Sequence, residues 1–133
     1  MKANELMIGD WVYALHEPKT PARVDAIYSF GGISYIMPDE TSGISNVVNP
    51  IPLTPEILEK NGFEKYTDTL YGLVEHFTVE IRLWDDILIR IGERYDSTFR
   101  VGYNWFVNGL IISDVHQLQH CLKMVGIEKE IEL

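Results

Sequence analysis

The stretch NPIPLTPEILEKNGF, residues 49–63, decides how the chain is organised. Thr54 is a favourable helix N-cap, and Pro55 suits the first helical position because its missing N–H would have no partner there. Gly62 supplies the left-handed residue at which many helices stop. The stretch therefore predicts a short helix over residues 55–61.

The same stretch marks a boundary between two halves of the chain. A proline cannot donate to a β-ladder, and Pro50, Pro52 and Pro55 follow one another closely here. We predict a small β-barrel-like unit over residues 1–52 and an α+β unit over residues 53–133. The alternative is one compact domain, which a chain of 133 residues is also long enough to form.

ARVDAIYSFGGISYIM, residues 22–37, predicts the first β-hairpin. Gly31 and Gly32 can both adopt positive φ, so a two-residue type I′ loop is expected. That loop would set Phe30 opposite Ile33. Apolar residues lie on both faces of this hairpin, which favours a small barrel or a well-covered sheet.

A second hairpin is predicted in HFTVEIRLWDDILIRIGE, residues 76–93. A three-residue loop over 84–86 would set Leu83 opposite Ile87 and leave one wholly apolar face to bury. Trp84 would then lie at an exposed hairpin tip. It is therefore the best single candidate in the chain for contact with a partner.

The third hairpin is predicted in FRVGYNWFVNGLIIS, residues 99–113. Asn108-Gly109 is a strong signal for a two-residue turn, which would set Val107 opposite Leu110. A helix follows, and the apolar stripe expected to pack on the sheet consists of Val115, Leu118, Cys121, Leu122 and Val125. The final IEKEIEL alternates in polarity and predicts a short edge strand with its glutamates facing water.

These elements predict an α+β fold dominated by antiparallel β-sheet. An N-terminal SH3-like small β-barrel unit is followed by a helix, a β-meander and a C-terminal helix packed on the sheet. The SH3-like part is a resemblance: Gly9-Asp10 precedes a strand, and a second strand follows soon after, as in the opening of such barrels. SH3-like barrels usually bind peptides or nucleic acid, so the resemblance implies a binding surface rather than one activity.

The charge balance argues against a protein that binds nucleic acid directly. The net charge is −9, and it is spread evenly: residues 1–66 carry 9 acids and 5 bases, and residues 67–133 carry 11 and 6. No cluster of Lys and Arg is present to displace counterions from phosphates. We therefore expect no direct nucleic acid binding.

The sequence predicts neither a membrane protein nor a secreted one. No apolar run approaches the roughly 20 residues that a membrane-spanning helix needs, and the N-terminus lacks the apolar core of a signal peptide. Cys121 is the only cysteine, so no internal disulfide can form. We expect a cytoplasmic protein with no membrane association.

His116 and His120 stand four residues apart in VHQLQHCLKM, a spacing at which two imidazoles can share a metal ion. They lie opposite the apolar stripe of the predicted helix and are therefore expected to be exposed. The zincin pattern needs a glutamate after the first histidine, and Gln117 stands there instead. His116 and His120 are thus weak candidates for a metal site, and no cofactor is predicted.

Aromatic residues crowd the N-terminal half: Trp11, Tyr13, Tyr28, Phe30 and Tyr35. If some of them are exposed on strands, they form a platform for a peptide or for single-stranded nucleic acid. The alternative is that they fill the core of a small barrel, and this is the simpler interpretation.

Three segments together resemble a family of small uncharacterised bacterial proteins that occur among gut anaerobes and are associated with phage or mobile elements. The segments are MKANELMIGDWV at residues 1–12, IPLTPEILEKNGFEK at residues 51–65 and VHQLQ at residues 115–119. Their order and spacing match across most of the chain. The match departs after Gln119, because similar proteins continue with an Asn-Leu-Tyr-like run where this chain has residues 120–122. The resemblance implies no activity, cofactor or catalytic residue.

The leading functional hypothesis is a non-enzymatic protein-interaction module, phage- or mobile-element-derived, because the sequence has surplus aromatics and no catalytic motif. A first alternative is an acidic inhibitor or DNA mimic, which predicts carboxylates grouped on one surface. A second alternative is an unrecognised metal-dependent enzyme, which predicts a pocket where His16, His76 or His116 meets carboxylates. A homodimer paired through a sheet edge is a further expectation.

Overall fold

The computed structural model describes the backbone of residues 1–67, 70–73, 80–91, 94–107, 110–124 and 126–133, and the side chains of residues 1–64, 112–124 and 126–133. Within this part, the chain forms two compact units. The first contains Met1–Pro52 together with Asp114–His120, and the second contains Leu53–Ser113 together with Cys121–Leu133. The sequence placed residues 114–120 with the second half, whereas the structure groups them with the first.

The Met1–Pro52 part of the first unit begins with a single 3₁₀ turn over Ala3–Glu5, and its other regular elements are β-strands. Its strands are β1 (Trp11–Ala14), β2 (Glu17–Ile27), β3 (Ile33–Ile36), β4 (Ser42–Ser45) and β5 (Asn49–Pro50). They form an antiparallel sheet in the order β4-β3-β2-β1-β5. The β-rich fold is as predicted, but this sheet is not closed into a barrel. Its last strand, β5, has only two residues, and Pro50 lacks the N–H that a further ladder would use.

Alternation along the strands of the first unit builds its core. Val12 and Ala14 of β1 point inward, and Ala22 and Val24 of β2 do the same. The buried cluster consists of Leu6, Val12, Ala14, Ala22, Val24, Ile33, Tyr35, Met37 and Val48. Every second residue of β1 therefore contributes to one apolar layer.

The β2–β3 hairpin forms, but its loop is longer than the sequence predicted. Ile27 pairs with Ile33, so residues 28–32 form the loop and Phe30 is not opposite Ile33. Gly31 has φ +92°, while Gly32 has no positive φ, and a type I′ turn requires positive φ at both central residues. Instead, the Gly31 N–H donates to the Tyr28 carbonyl and the Tyr28 N–H donates to the Gly32 carbonyl.

The second unit carries the other sheet, in the order β10-β9-β8-β7-β6, with every pairing antiparallel. Its elements are α1 (Pro55–Lys60), β6 (Phe63–Thr67), β7 (Leu70–Leu73), β8 (Glu80–Ile91), β9 (Arg94–Val107) and β10 (Leu110–Ile112). The chain then enters α2 (Val115–Met124). The predicted antiparallel, sheet-rich α+β class is confirmed.

The predicted hairpin with a loop over 84–86 is wrong, because those residues lie inside the continuous strand β8. The register sets Trp84 opposite Asn104 and, after an irregularity, Asp86 opposite Arg100. Trp84 is therefore not at a hairpin tip, and its side chain lies outside the described residues.

Other local predictions for this unit are confirmed. Val107 pairs with Leu110 as expected, although residues 108–109 lie outside the described residues. Helix α1 begins after Thr54, whose Oγ1 accepts a hydrogen bond from the Ile57 N–H at 3.3 Å. Gly62 follows the helix with φ +85°.

The predicted C-terminal edge strand does not form, since residues 127–133 carry no strand. The Asn61 side chain binds this segment instead: its Oδ1 accepts from the Glu132 N–H at 2.7 Å, and its Nδ2 donates to the Glu132 carbonyl at 2.7 Å. Ile127 and Ile131 are buried. A side-chain amide thus satisfies backbone groups that a β-ladder would have used.

Helix α2 buries the predicted apolar stripe as far as it is described: Val115, Leu118, Cys121 and Leu122. Val125 lies outside the described residues. None of the described helices is long and apolar enough to cross a membrane.

Candidate functional site

A buried acid joins the loop before β1 to helix α2. Asp10 has no solvent exposure, and its Oδ2 lies 2.7 Å from His120 Nε2. The same oxygen accepts from the Met7 N–H at 2.7 Å. An ionised carboxylate only accepts hydrogen bonds, so in that state of Asp10 the His120 ring donates from Nε2. We name Asp10, Gln119, His116 and His120 the polar junction.

Gln119 is the second residue of the polar junction that connects α2 to the segment before β1. Its Oε1 accepts from the Trp11 N–H at 2.9 Å, and its Nε2 donates to the Gly9 carbonyl at 3.0 Å. Both ends of one side-chain amide are therefore used on backbone groups of the segment that leads into β1. Such a bond pair fixes the helix register against this segment.

His116 lies beside His120 in the polar junction and is almost fully buried. Its ring meets the His120 ring edge to face, with 5.6 Å between centroids. Burial lowers the pKa of His116 below its usual value, against the opposing pull of the Asp10, Asp114 and Glu5 carboxylates. Within the described chain, His116 Nδ1 and Asp10 Oδ1 are buried without a hydrogen-bond partner.

The expectation that both histidines are exposed is wrong. His116 is 4% exposed and Gln119 is 8% exposed, and the His120 side chain is 24% exposed. Helical periodicity located the apolar stripe correctly, but the loop through Gly9 and Asp10 covers the polar side as well. Gly9 and Asp10, which the sequence places before the first strand, thus also contact α2.

The weak metal candidates His116 and His120 are brought together, and Asp10 with them. Even so, the residues that the structure describes contain no group of three or more His, Cys, Asp or Glu arranged to hold a metal ion. His120 Nε2 is bonded to Asp10, and together with the bonds of Gln119 this contact connects α2 to the segment before β1.

Cys121 follows the polar junction in α2 and is also buried. Burial raises the pKa of its thiol to about 11. The thiol is therefore protonated near neutral pH, and a nucleophilic or metal-binding role would require a thiolate. This agrees with the core position that its place on the apolar stripe predicted.

An exposed aromatic pair stands at the β2–β3 loop of the first unit. The rings of Tyr28 and Phe30 are stacked, with 5.3 Å between centroids and 8° between planes. Phe30 is 73% exposed. A Cβ at Gly32 would lie 2.4 Å from Phe30 Cε2, so the absence of a side chain there leaves room for the ring. The exposed ring of Phe30 therefore lies beside Gly32 and is stacked on Tyr28.

The aromatic pair borders a groove of about 580 Å³. We name it the aromatic groove, and its lining residues are Lys2, Ala3, Asn4, Ile27, Tyr28, Ser29, Phe30, Gly31, Asn46 and Val47. These ten residues include one lysine and no carboxylate. A peptide-sized apolar cleft with a few amides and one cation is thus available on a chain that is otherwise acidic.

The other aromatic candidates serve the fold. Tyr35 is buried, and its hydroxyl lies 3.2 Å from His16 Nδ1. The guanidinium of Arg23 lies over the Trp11 ring, 5.3 Å from its centroid. Core filling, the simpler interpretation, thus holds for Tyr35, while Tyr28 and Phe30 are exposed. The side chains of Trp84 and His76 lie outside the described residues.

Comparisons of the chain with protein-family models, with curated proteins and with solved structures find no match. The polar junction and the aromatic groove are therefore interpreted from their own contacts, burial and charge.

Proposed function

We propose that this protein is a non-enzymatic protein-interaction module whose aromatic groove binds an extended segment of a partner protein. The single observation that carries the proposal is Phe30, stacked on Tyr28 at the rim of the groove and 73% exposed. Large aromatic side chains anchor many protein interfaces because they bury much apolar area with few rotatable bonds.

The stacking of the aromatic pair supports this function. The Phe30 ring lies near the backbone of Gly32 and is stacked on Tyr28. Aromatic side chains offer a large apolar area with few rotatable bonds, which limits the conformational entropy lost when a partner segment packs against them.

The charge of the aromatic groove indicates what the partner segment contains. Lys2 is the one charged lining residue, so a carboxylate on the bound segment would be favourable near it. The net charge of −9 is spread over the whole chain, and charges farther than about 8 Å away are largely screened at physiological salt. We therefore propose a segment with an apolar or aromatic side chain and a neighbouring acid.

The two alternatives from the sequence make predictions of their own. An acidic inhibitor requires carboxylates grouped on its contact surface, and the aromatic groove has none among its lining residues, so an inhibitor would have to use another surface. A metal-dependent enzyme predicts a histidine that meets carboxylates, and His116 does lie beside His120, which is bonded to Asp10. Among the described residues, however, no group of three or more His, Cys, Asp or Glu is arranged to hold a metal ion, so we prefer the interaction module.

A peptide-display selection tests the proposal. Random dodecapeptides are selected on the wild-type protein, and their affinities are then measured for Phe30→Ala. Met124→Ala is the matched control, because Met124 is equally exposed at 73% and lies in α2. The proposal expects enriched peptides that lose at least tenfold in affinity with Phe30→Ala and little with Met124→Ala. Failure to enrich any peptide, or equal binding by both variants, would contradict it.

A second variant separates ring position from ring chemistry. Gly32→Ala keeps Phe30 but places a Cβ where its ring now lies. Because Gly32 has no positive φ, the backbone tolerates alanine there. The same peptides should therefore bind Gly32→Ala more weakly than wild type, although both aromatic side chains are still present.

A further inference from the structure

Strand β4 leaves one side of its backbone open at the edge of the first sheet. The Met37 N–H donates to the Thr41 carbonyl at 2.8 Å, and bonded pairs in an antiparallel ladder alternate. The next bonded pairs toward the end of β4 are therefore Tyr35–Gly43 and Ile33–Ser45. The backbone groups of the intervening residues, Ser42 and Ile44, consequently point away from β3.

The open edge has few of the features that usually block pairing with another strand. The four residues of β4 read Ser-Gly-Ile-Ser, with no charge and no proline. Ile44 is 63% exposed, although its cross-strand neighbour Ser34 is buried. An unguarded edge with an exposed apolar side chain is the surface that strand addition uses.

The open edge runs directly into the aromatic groove. Asn46 and Val47, which follow β4, are both lining residues of the groove. The turn there is held by Ser45, whose Oγ donates to the Val47 carbonyl and accepts from its N–H. One extended segment can therefore pair with β4 and then place a side chain against Phe30.

We infer that the partner segment binds as an added β-strand on the outer edge of β4, with its next residues in the aromatic groove. This inference rests on the proposed function and names its recognition mode. Ser42 and Ile44 supply two N–H donors and two carbonyl acceptors to the added strand. The segment carries an apolar or aromatic side chain for Phe30 and a carboxylate for Lys2.

A second copy of this chain fits the edge less well than a foreign segment. Self-pairing of a four-residue strand brings together far less surface than the roughly 1,200 Å² that a stable interface needs. A partner segment that also enters the aromatic groove adds the contacts of that groove to those of the edge.

The test uses the dodecapeptides selected on the wild-type protein. Amide exchange is followed by NMR with and without the tightest peptide, and the Ser42 and Ile44 amides are the reporters. Strand addition predicts that both amides become at least tenfold slower to exchange. It also predicts that N-methylation at alternate peptide positions abolishes binding, while N-methylation at the intervening positions does not.

A pair of variants at one position adds an independent readout. Ile44→Pro removes the outward N–H, which an edge strand tolerates, whereas Ile44→Ala keeps the N–H and removes the side chain. The inference expects Ile44→Pro to lose at least tenfold more affinity than Ile44→Ala. Unchanged exchange at Ser42 and Ile44, together with equal binding by the two variants, would overturn it.

The outcomes distinguish the inference from the function beneath it. Peptides that need Phe30 but leave the Ile44 amide unprotected would remove strand addition and keep the interaction module. Peptides that ignore Phe30, or no peptides at all, would remove both. Concentration-dependent dimers that protect the Ile44 amide without peptide would show that a second copy occupies the edge, which also overturns the inference.

Discussion

The polar junction and the aromatic groove belong to the same unit, and they reverse the usual distribution of side chains. The junction buries an acid, a glutamine and a histidine. The groove exposes a phenylalanine and a tyrosine. Burying polar groups costs free energy unless they are hydrogen-bonded, and Asp10 and Gln119 are bonded to backbone groups or to His120. An exposed aromatic ring, in contrast, adds little to the free energy of unfolding.

This difference separates residues that maintain the fold from those offered for binding. Loss of a junction residue should lower stability, whereas loss of a groove residue should lower affinity only. The following substitutions test whether stability and binding depend on different residues, from the largest expected effect on stability to the smallest.

Asp10→Ala should have the largest effect. It leaves two donors, the Met7 N–H and the His120 ring, without their buried acceptor, which costs about 3 kcal/mol in free energy of unfolding for the two together. Urea unfolding measures this loss. Asp10→Asn is the control, because its amide oxygen can still accept from the Met7 N–H, and it should lose less. A loss under about 1 kcal/mol for Asp10→Ala would show that the polar junction contributes little to the free energy of unfolding.

Gln119→Ala should be the next most damaging change. It removes two hydrogen bonds to backbone groups at Gly9 and Trp11, at a cost of about 2 kcal/mol. Thermal unfolding followed by circular dichroism measures the effect. Lys123→Ala, an exposed position of the same helix, should change stability by less than about 0.5 kcal/mol. Equal losses in the two variants would contradict this account.

Stability should also decrease as the pH falls, because His116 binds a proton more readily in the unfolded chain than in the folded one. Burial lowers the folded-state pKa of His116 below its usual 6.5, so the unfolded chain binds the proton more readily. The free energy contributed by neutral His116 is present above pH 6.5 and is lost as the pH falls through the lower folded-state pKa. Urea unfolding between pH 7.5 and pH 5 should show this slope, and His116→Gln should reduce it. Identical slopes in the two proteins would contradict the assignment.

Phe30→Ala should have the smallest effect on stability. An exposed side chain away from the core usually contributes less than about 0.5 kcal/mol to the free energy of unfolding. Thermal unfolding of Phe30→Ala and wild type should therefore nearly coincide. A loss of 2 kcal/mol or more, a size typical of a core truncation, would mean that Phe30 maintains the fold rather than offering a binding surface.

Local sequence signals predicted the parts of the fold that depend on neighbours in the chain. Thr54, Pro55 and Gly62 specified α1, and the Val107–Leu110 pairing followed from a short turn. These predictions succeed because capping and turn geometry are decided within a few residues. The β2–β3 register failed because two adjacent glycines permit a type I′ turn without requiring one.

The candidate sites depend on contacts that no local pattern contains. Gln119 reaches a backbone more than a hundred residues away in sequence, and helical periodicity cannot show that a loop covers the polar face. Phe30 was named among the aromatic candidates, but its exposure follows from a five-residue loop that the sequence did not predict. The sequence does not identify Asp10 as a partner of the histidines, because no local pattern links it to a residue 110 positions away.

The most direct test of the central claim combines affinity and stability in one pair of proteins. Calorimetric titration of a selected dodecapeptide into wild type and Phe30→Ala is paired with thermal unfolding of each. The account predicts at least a tenfold loss of affinity with nearly unchanged unfolding temperature. Unchanged affinity in a stably folded Phe30→Ala would contradict the claim that the aromatic groove is the binding surface.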